Sequence, residues 1–65
     1  MSNMRTIRHE ENLSLKALSE RCGVSENHLG RIERGECDPT LTTMLKIAWG
    51  LRREVWEVFG NQPIE

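Results

Sequence analysis

The sequence predicts an all-α protein of five short helices, and three observations indicate this fold class. Apolar residues recur at helical spacing, and no stretch alternates polar and apolar residues for long. Serine or threonine precedes several of the apolar segments, and glycine follows them. With 65 residues, of which 37% are hydrophobic, the chain can form one small core and therefore a single domain.

The first two predicted helices are short and amphipathic. The first places Met4, Ile7 and Arg8 on one face. The second, with the sequence LKALSERC, begins after Ser14, whose side chain can cap a helix N-terminus. It ends at Gly23, because glycine suits the left-handed conformation that commonly follows a helix.

The third predicted helix begins after Ser25, runs to about Arg34 and is ended by Gly35. Leu29 and Ile32 are expected to face the core. The residues expected to face outward are Glu26, Asn27, His28, Gly30 and Arg31.

The fourth predicted helix, LTTMLKIAWGL, begins after Asp38 or Thr40. Its expected inward stripe consists of Leu41, Met44, Ile47, Ala48 and Leu51. The fifth segment, REVWEVFG, is expected to face inward with Val55, Val58 and Phe59. Residues 1–60 are thus the predicted domain, and residues 61–65 are a C-terminal tail.

The second and third helices, joined through CGVS, predict a helix-turn-helix over about residues 14–34, with residues 25–34 as the recognition helix. Glycine allows the sharp turn, valine packs against the core and serine caps the second helix. Such a unit projects that helix from the body of the protein, so its outward residues can enter a DNA major groove about 12 Å wide.

The chain resembles Cro/repressor-type (XRE family) helix-turn-helix domains from about Met4 to Phe59. The matching segments, in family-like order and spacing, are IRHEENLS at 7–14, LSERCGVS at 18–25, IERG at 32–35, PTL at 39–41 and LKIAWGL at 45–51. The resemblance implies a compact, five-helix, lambda-repressor-like DNA-binding domain. It also implies operator binding as a homodimer, most often for repression.

The resemblance assigns base contacts to Glu26, Asn27 and Arg31. Arginine can pair bidentately with guanine, asparagine can pair with adenine, and glutamate can accept from cytosine N4. The alternative is that Glu26 and Asn27 are ordinary polar residues of a first helical turn, and that Arg31 is a solvated charge. The expected contacts to the DNA backbone come from Ser14, Lys16, Ser25, His28, Arg34 and Thr40.

Two further expectations concern packing and departures from the family pattern. Arg8 and Glu33 stand where the family often has an ion pair between the first and third helices. Leu15 stands where a glutamine commonly binds phosphate, and Arg53 stands where a small aliphatic residue is usual. Gly30 replaces a commoner serine, which either lets the helix approach DNA closely or weakens binding.

Trp49 and Trp56 fall off the inward stripes of the last two helices. Tryptophan is enriched at the centres of protein interfaces, so we expect the two residues to form the dimer interface. The alternative is that one of them covers the small core.

The function predicted from the sequence is therefore that of a transcriptional repressor, which binds double-stranded DNA sequence-specifically, as a homodimer, at a palindromic operator. The alternative is an antitoxin-type module that binds a partner protein and represses its own operon. The net charge of −1 argues mildly against a protein that binds nucleic acid strongly. It suits the alternative slightly better.

Other function classes find little support in the sequence. The chain has no nucleophile–base spacing and no phosphate-cradling glycine loop, so no enzyme activity is expected. Cys22 and Cys37 lie outside any metal-ligand spacing, and neither a metal nor another cofactor is expected. The absence of a long apolar run and of a signal-peptide pattern predicts a cytoplasmic chain without membrane contact.

Overall fold

Residues 3–60 are described by the computed structural model, and they form five α-helices without a β-strand. The helices are α1 (Met4–Glu10), α2 (Leu15–Cys22), α3 (Glu26–Glu33), α4 (Leu41–Leu51) and α5 (Val55–Phe59). This architecture confirms the predicted all-α, five-helix fold. The expected tail at 61–65 lies outside the described residues. None of the helices within 3–60 combines the length and the apolar character needed to span a membrane.

Serine hydroxyls begin α2 and α3, as the sequence predicts. The Ser14 Oγ accepts a hydrogen bond from the backbone N–H of Ala17 at 3.0 Å, and the Ser25 Oγ accepts one from His28 at 3.1 Å. These bonds satisfy N–H groups that have no partner within the helix. Gly23 ends α2 with a φ of +77°, a left-handed conformation that glycine adopts without steric cost.

The last two helices begin differently from each other. At α4 the capping residue is Thr40 and not Asp38, because the Thr40 Oγ1 accepts a hydrogen bond from the backbone N–H of Thr43 at 3.2 Å. At α5 the Glu57 side chain reaches back and accepts from the backbone N–H of Glu54 at 2.8 Å. This bond starts α5 at Val55, two residues later than the segment REVWEVFG would allow.

Helix α2 occupies the middle of the bundle, because it packs against both α3 and α4, while α5 packs against α4 and α1. Burial of apolar side chains between these helices is the main favourable contribution to folding. The core residues are Met4, Ile7, Leu13, Leu18, Cys22, Val24, Leu29, Ile32, Ile47, Ala48, Leu51, Val58 and Phe59. Helix α3 is thus held on the body of the protein by its own two aliphatic anchors, Leu29 and Ile32.

Helix α4 differs from the prediction at its first residue. Leu41 was expected to face inward, but its side chain is 64% exposed. The core face of α4 is supplied by Ile47, Ala48 and Leu51. Leu41 lies on another face together with Leu45, which is 51% exposed four residues later. The prediction was wrong because spacing identifies a face of a helix without showing which face the other helices cover.

Arg53 takes up a structural role at the turn between α4 and α5. Its Nη2 lies 3.1 Å from the Glu10 Oε1 and 3.1 Å from the Glu11 Oε2, at the end of α1. Hydrogen bonds to Glu11 and Glu10 raise the pKa of the Arg53 guanidinium above its usual value. The arginine that stands in place of a small aliphatic residue therefore links the α4–α5 turn to the C-terminal end of α1.

Gly50 should not tolerate alanine, because α2 and α4 approach closely there. A Cβ at this position would lie 3.0 Å from the Cys22 Cβ and 3.0 Å from the Leu18 Cδ1. We expect Gly50→Ala to lower the free energy of unfolding by about 1–3 kcal/mol, as overpacking does in other cores. Chemical denaturation followed by circular dichroism measures this loss.

Gly30→Ala is the matched control, since Gly30 is also a buried residue inside a helix. The nearest obstacle there is the Arg34 Nη1 at 3.0 Å, the far end of a flexible side chain. Alanine favours a helix over glycine by about 1 kcal/mol, so this variant should be neutral or more stable. Equal destabilisation by the two variants would contradict the close approach at Gly50.

Candidate nucleic-acid interface

Helix α3 has one face in the core and another in solvent. Leu29 is fully buried and Ile32 is 5% exposed. Glu26, Asn27 and Arg31 are exposed. The predicted base-reading residues therefore project from the side of α3 that points away from the core.

Gly30 was expected to face outward with these residues, but the structure places it among buried ones. A Cβ at this position would lie 3.7 Å from the Leu15 Cδ1 of α2, and the Arg34 guanidinium folds over the same spot. The expectation that Gly30 faces outward is therefore wrong. A buried Gly30 also gives α3 no closer approach to DNA at this residue. Gly30 instead makes room for Arg34 and for packing against α2.

An ion pair joins the end of α3 to α1. The Arg8 Nε donates to the Glu33 Oε2 at 2.6 Å, and the Arg8 Nη2 donates to the Glu33 Oε1 at 3.2 Å. The Arg8 Nη1 also donates to the backbone carbonyl of Leu13 at 2.7 Å. This bidentate geometry is the strong form of an arginine–carboxylate contact, and it fixes the position of α3 on the domain.

Arg5 adds a second cation that the sequence reasoning missed. Its Nε lies 3.2 Å from the Glu33 Oε1, on the solvent side of the Arg8 pair. Burial raises the pKa of the Glu33 carboxyl, but hydrogen bonds and charges from Arg8 and Arg5 outweigh burial and leave this pKa below its usual value. Glu33 is therefore ionised at neutral pH. The only sequence signal for Arg5 is its position one helical turn before Arg8.

The predicted phosphate-contacting residues are nearly all accessible. Ser14, Lys16, Ser25, Arg34 and Thr40 are exposed, and only His28 is half-buried. The Ser14 and Ser25 hydroxyl oxygens accept bonds from their helices, which leaves each O–H free to donate to an anion. The N-termini of α2 and α3 thus offer hydroxyl donors beside partial positive charge.

Glu36 lies between two arginines of this surface, and the sequence reasoning missed it. The Arg34 Nε donates to the Glu36 Oε2 at 2.6 Å, and the Arg31 Nε lies 3.9 Å from the Glu36 Oε1. The hydrogen bond raises the pKa of the Arg34 guanidinium and lowers the pKa of the Glu36 carboxyl. An acidic side chain therefore stands among the groups expected to meet DNA.

The two tryptophans lie outside the core. Trp49 is 73% exposed and Trp56 is 66% exposed, so neither of them covers the core. Trp49 follows Leu41 and Leu45 at intervals of four residues, which puts the three on one face of α4. Trp56 belongs to α5, which packs against α4. These four exposed side chains, three on one side of α4 and one on α5, are called the apolar face below: Leu41, Leu45, Trp49 and Trp56.

Comparisons with known proteins agree with this geometry. A family model described as helix-turn-helix matches residues 4–52. The chain is 44% identical over 50 residues to the HTH-type transcriptional regulator SutR of Escherichia coli (strain K12), which covers 77% of this chain and 28% of that protein. It is 32% identical over 63 residues to the control protein C.SmaI of Serratia marcescens, which covers 97% of this chain and 75% of that one.

A third relative is an uncharacterized HTH-type transcriptional regulator, y4dL, of Sinorhizobium fredii (strain NBRC 101917 / NGR234). The identity is 33% over 52 residues, covering 80% of this chain and 26% of that protein. The matched part of this chain thus spans little more than a quarter of the length of SutR and of y4dL, with 28% and 26% covered.

Proposed function

This chain belongs to the XRE-type helix-turn-helix family, and we propose that it binds duplex DNA through α3 as a sequence-specific transcriptional regulator that represses. The observation that carries the proposal is the outer face of α3, which holds Glu26, Asn27 and Arg31 exposed on a helix anchored by Leu29 and Ile32. The names of the relatives favour regulation over an antitoxin-type role.

Base recognition follows from the chemistry of the three exposed side chains. An α-helix with its side chains is about 10–12 Å across, which matches the major groove. Arg31 would donate two hydrogen bonds to guanine O6 and N7, and Asn27 would pair with adenine N6 and N7. Glu26 would accept from cytosine N4, the base contact that suits a carboxylate.

Phosphate contacts would set the orientation of α3 without reading sequence. We assign them to the exposed cations Lys16 and Arg34 and to the hydroxyls of Ser14, Ser25 and Thr40. His28, half-buried at the third residue of α3, would add a contact at the edge of this set. Because phosphate contacts release counterions, affinity for any duplex should fall steeply as salt rises.

The apolar face supports a homodimer. Four large apolar side chains on α4 and α5 are each at least half exposed. A domain this small has few apolar residues for its core, so their exposure indicates a partner surface. Burying them against a second copy would remove apolar surface from water and bring tryptophans to the interface centre. A two-fold pair would set the two α3 helices about 34 Å apart, which predicts a palindromic operator with half-sites one DNA turn apart.

Selection of bound sequences from a random duplex pool tests this function. The expected result is enrichment of an inverted repeat whose half-sites lie about 10–10.5 base pairs apart, centre to centre. Sedimentation should give a dimer for the wild type and a monomer for Trp49→Glu, which places charge in the apolar face. Failure of any sequence to be enriched would contradict DNA recognition. A wild-type monomer bound to a single half-site would contradict the dimer alone.

A further inference from the structure

Glu36 is held beside the recognition helix by the backbone as well as by its side chain. The backbone N–H of Glu36 donates to the carbonyl of Arg31 at 2.8 Å, and Gly35 makes the turn between them with a φ of +74°. The Glu36 carboxylate accepts hydrogen bonds from the Arg34 Nε at 2.6 Å and from the Arg34 Nη2 at 3.4 Å. The backbone of Glu36 therefore has a fixed place next to α3, from which its carboxylate reaches Arg34.

This carboxylate occupies the edge of Arg34 that a phosphate would use. A guanidinium binds carboxylate and phosphate alike through two parallel N–H donors. Nε and Nη2 of Arg34 both point at Glu36, and Nη1 lies over Gly30. A DNA phosphate can bind Nε and Nη2 of Arg34 only if it displaces Glu36. Otherwise it must share these two donors with the Glu36 carboxylate, which carries the same sign of charge.

We infer that Glu36 competes with DNA phosphates for Arg34 and so weakens the binding of duplex DNA of any sequence. The inference rests on the proposed function, because it takes α3 as the DNA-binding element. Binding to random sequence depends on phosphate contacts and bears the whole cost of displacing Glu36. Operator binding makes the same phosphate contact with Arg34 and bears the same cost, while base contacts by Glu26 and Asn27 add to its affinity independently.

Glu36 competes with DNA for Arg34 without closing off the arginine. The side chains of Arg34 and Glu36 are each 50% exposed, and that of Arg31 is 51% exposed, so DNA can reach all three. Exposed ion pairs contribute little to stability, so the pair can open without unfolding α3. Glu36 therefore modulates affinity and does not block binding.

Glu36→Gln tests the inference, because it removes the charge and keeps the shape. Affinities for a random-sequence duplex and for the selected operator are measured by fluorescence anisotropy across a salt series. We expect the variant to bind the random duplex about two- to fivefold more tightly than the wild type. The slope of log affinity against log salt should steepen by up to about one. Operator affinity should rise by a similar factor, because both duplexes displace Glu36 from Arg34.

Asp38→Asn is the matched control. Asp38 is an exposed acid of the same loop that takes no part in the ion pairs found within residues 3–60. Its removal changes net charge equally, so a smaller effect than that of Glu36→Gln supports the inference and an equal effect overturns it. Unchanged or weaker binding of the random duplex by Glu36→Gln also overturns it. If the wild type binds no duplex at all, the proposed function itself fails.

Discussion

Replacing Glu33 with glutamine should lower the free energy of unfolding by about 3–5 kcal/mol, the cost of removing one partner from a buried ion pair. The Glu33 side chain is 2% exposed and that of Arg8 is 11% exposed. Glutamine would leave Arg8 buried without a counter-ion and would turn an amide N–H₂ toward a guanidinium. A domain of this size has a total stability of about 3–10 kcal/mol, so the variant should lose a large part of it. Urea denaturation followed by circular dichroism measures the effect.

Glu36→Gln is the control for this stability experiment, because it makes the same substitution in an exposed arginine pair nearby. Exposed pairs contribute little to stability, so its unfolding curve should nearly overlay that of the wild type. A loss below about 1 kcal/mol for Glu33→Gln would instead show that Arg8 and Glu33 are screened by water.

The same pair predicts how stability depends on pH. The pKa of Glu33 in the folded chain lies below the value of 4.5 expected for an unperturbed glutamate, because Arg8 and Arg5 outweigh burial. The unfolded chain therefore binds this proton more readily than the folded one. The contribution of Glu33 is complete above the unfolded-state pKa and is lost as pH falls through the folded-state pKa. Acid titration of unfolding should show this loss in the wild type.

Arg31→Ala should weaken binding to the selected operator by about 5- to 150-fold, the range that 1–3 kcal/mol of lost guanine contact corresponds to. Binding to a random duplex should change by less than about threefold, because a base contact contributes nothing where the matching guanine is absent. Arg31 is exposed and its removal breaks no core contact, so the fold should be retained. Paired anisotropy titrations on the two duplexes measure the difference.

Lys46→Ala provides the control for charge in that experiment. Lys46 is an exposed cation of α4, outside the predicted DNA surface. Its loss should affect operator and random duplex equally and weakly. An equal loss on both duplexes for Arg31→Ala would show a phosphate contact in place of a base contact. No loss on either would place Arg31 outside the interface.

The features that the sequence predicts well are local ones. The caps at Ser14 and Ser25 and the turn at Gly23 depend on residues within one helical turn, so composition and spacing are enough to find them. The exposure of Trp49 and Trp56 also follows from helical spacing, because both residues fall off the stripes that form the core.

The features that it misses depend on contacts between distant segments. Gly30 is buried because Arg34 folds back over it and α2 packs beside it, and Leu41 is exposed because no other helix within residues 3–60 covers that face of α4. The pair of Arg5 with Glu33 joins residues 28 positions apart. The contact of Glu36 with Arg34 depends on the turn at Gly35, whose path is fixed only in the folded chain.

The most direct test of the whole account is a titration of the ¹⁵N-labelled chain with the selected operator duplex, followed by amide chemical shifts. We expect the largest changes at Glu26, Asn27 and Arg31, with smaller ones at the N-terminus of α2. If those three amides keep their positions while signals elsewhere, such as the Trp49 indole, respond to the duplex, then α3 does not enter the groove and the proposed function is wrong.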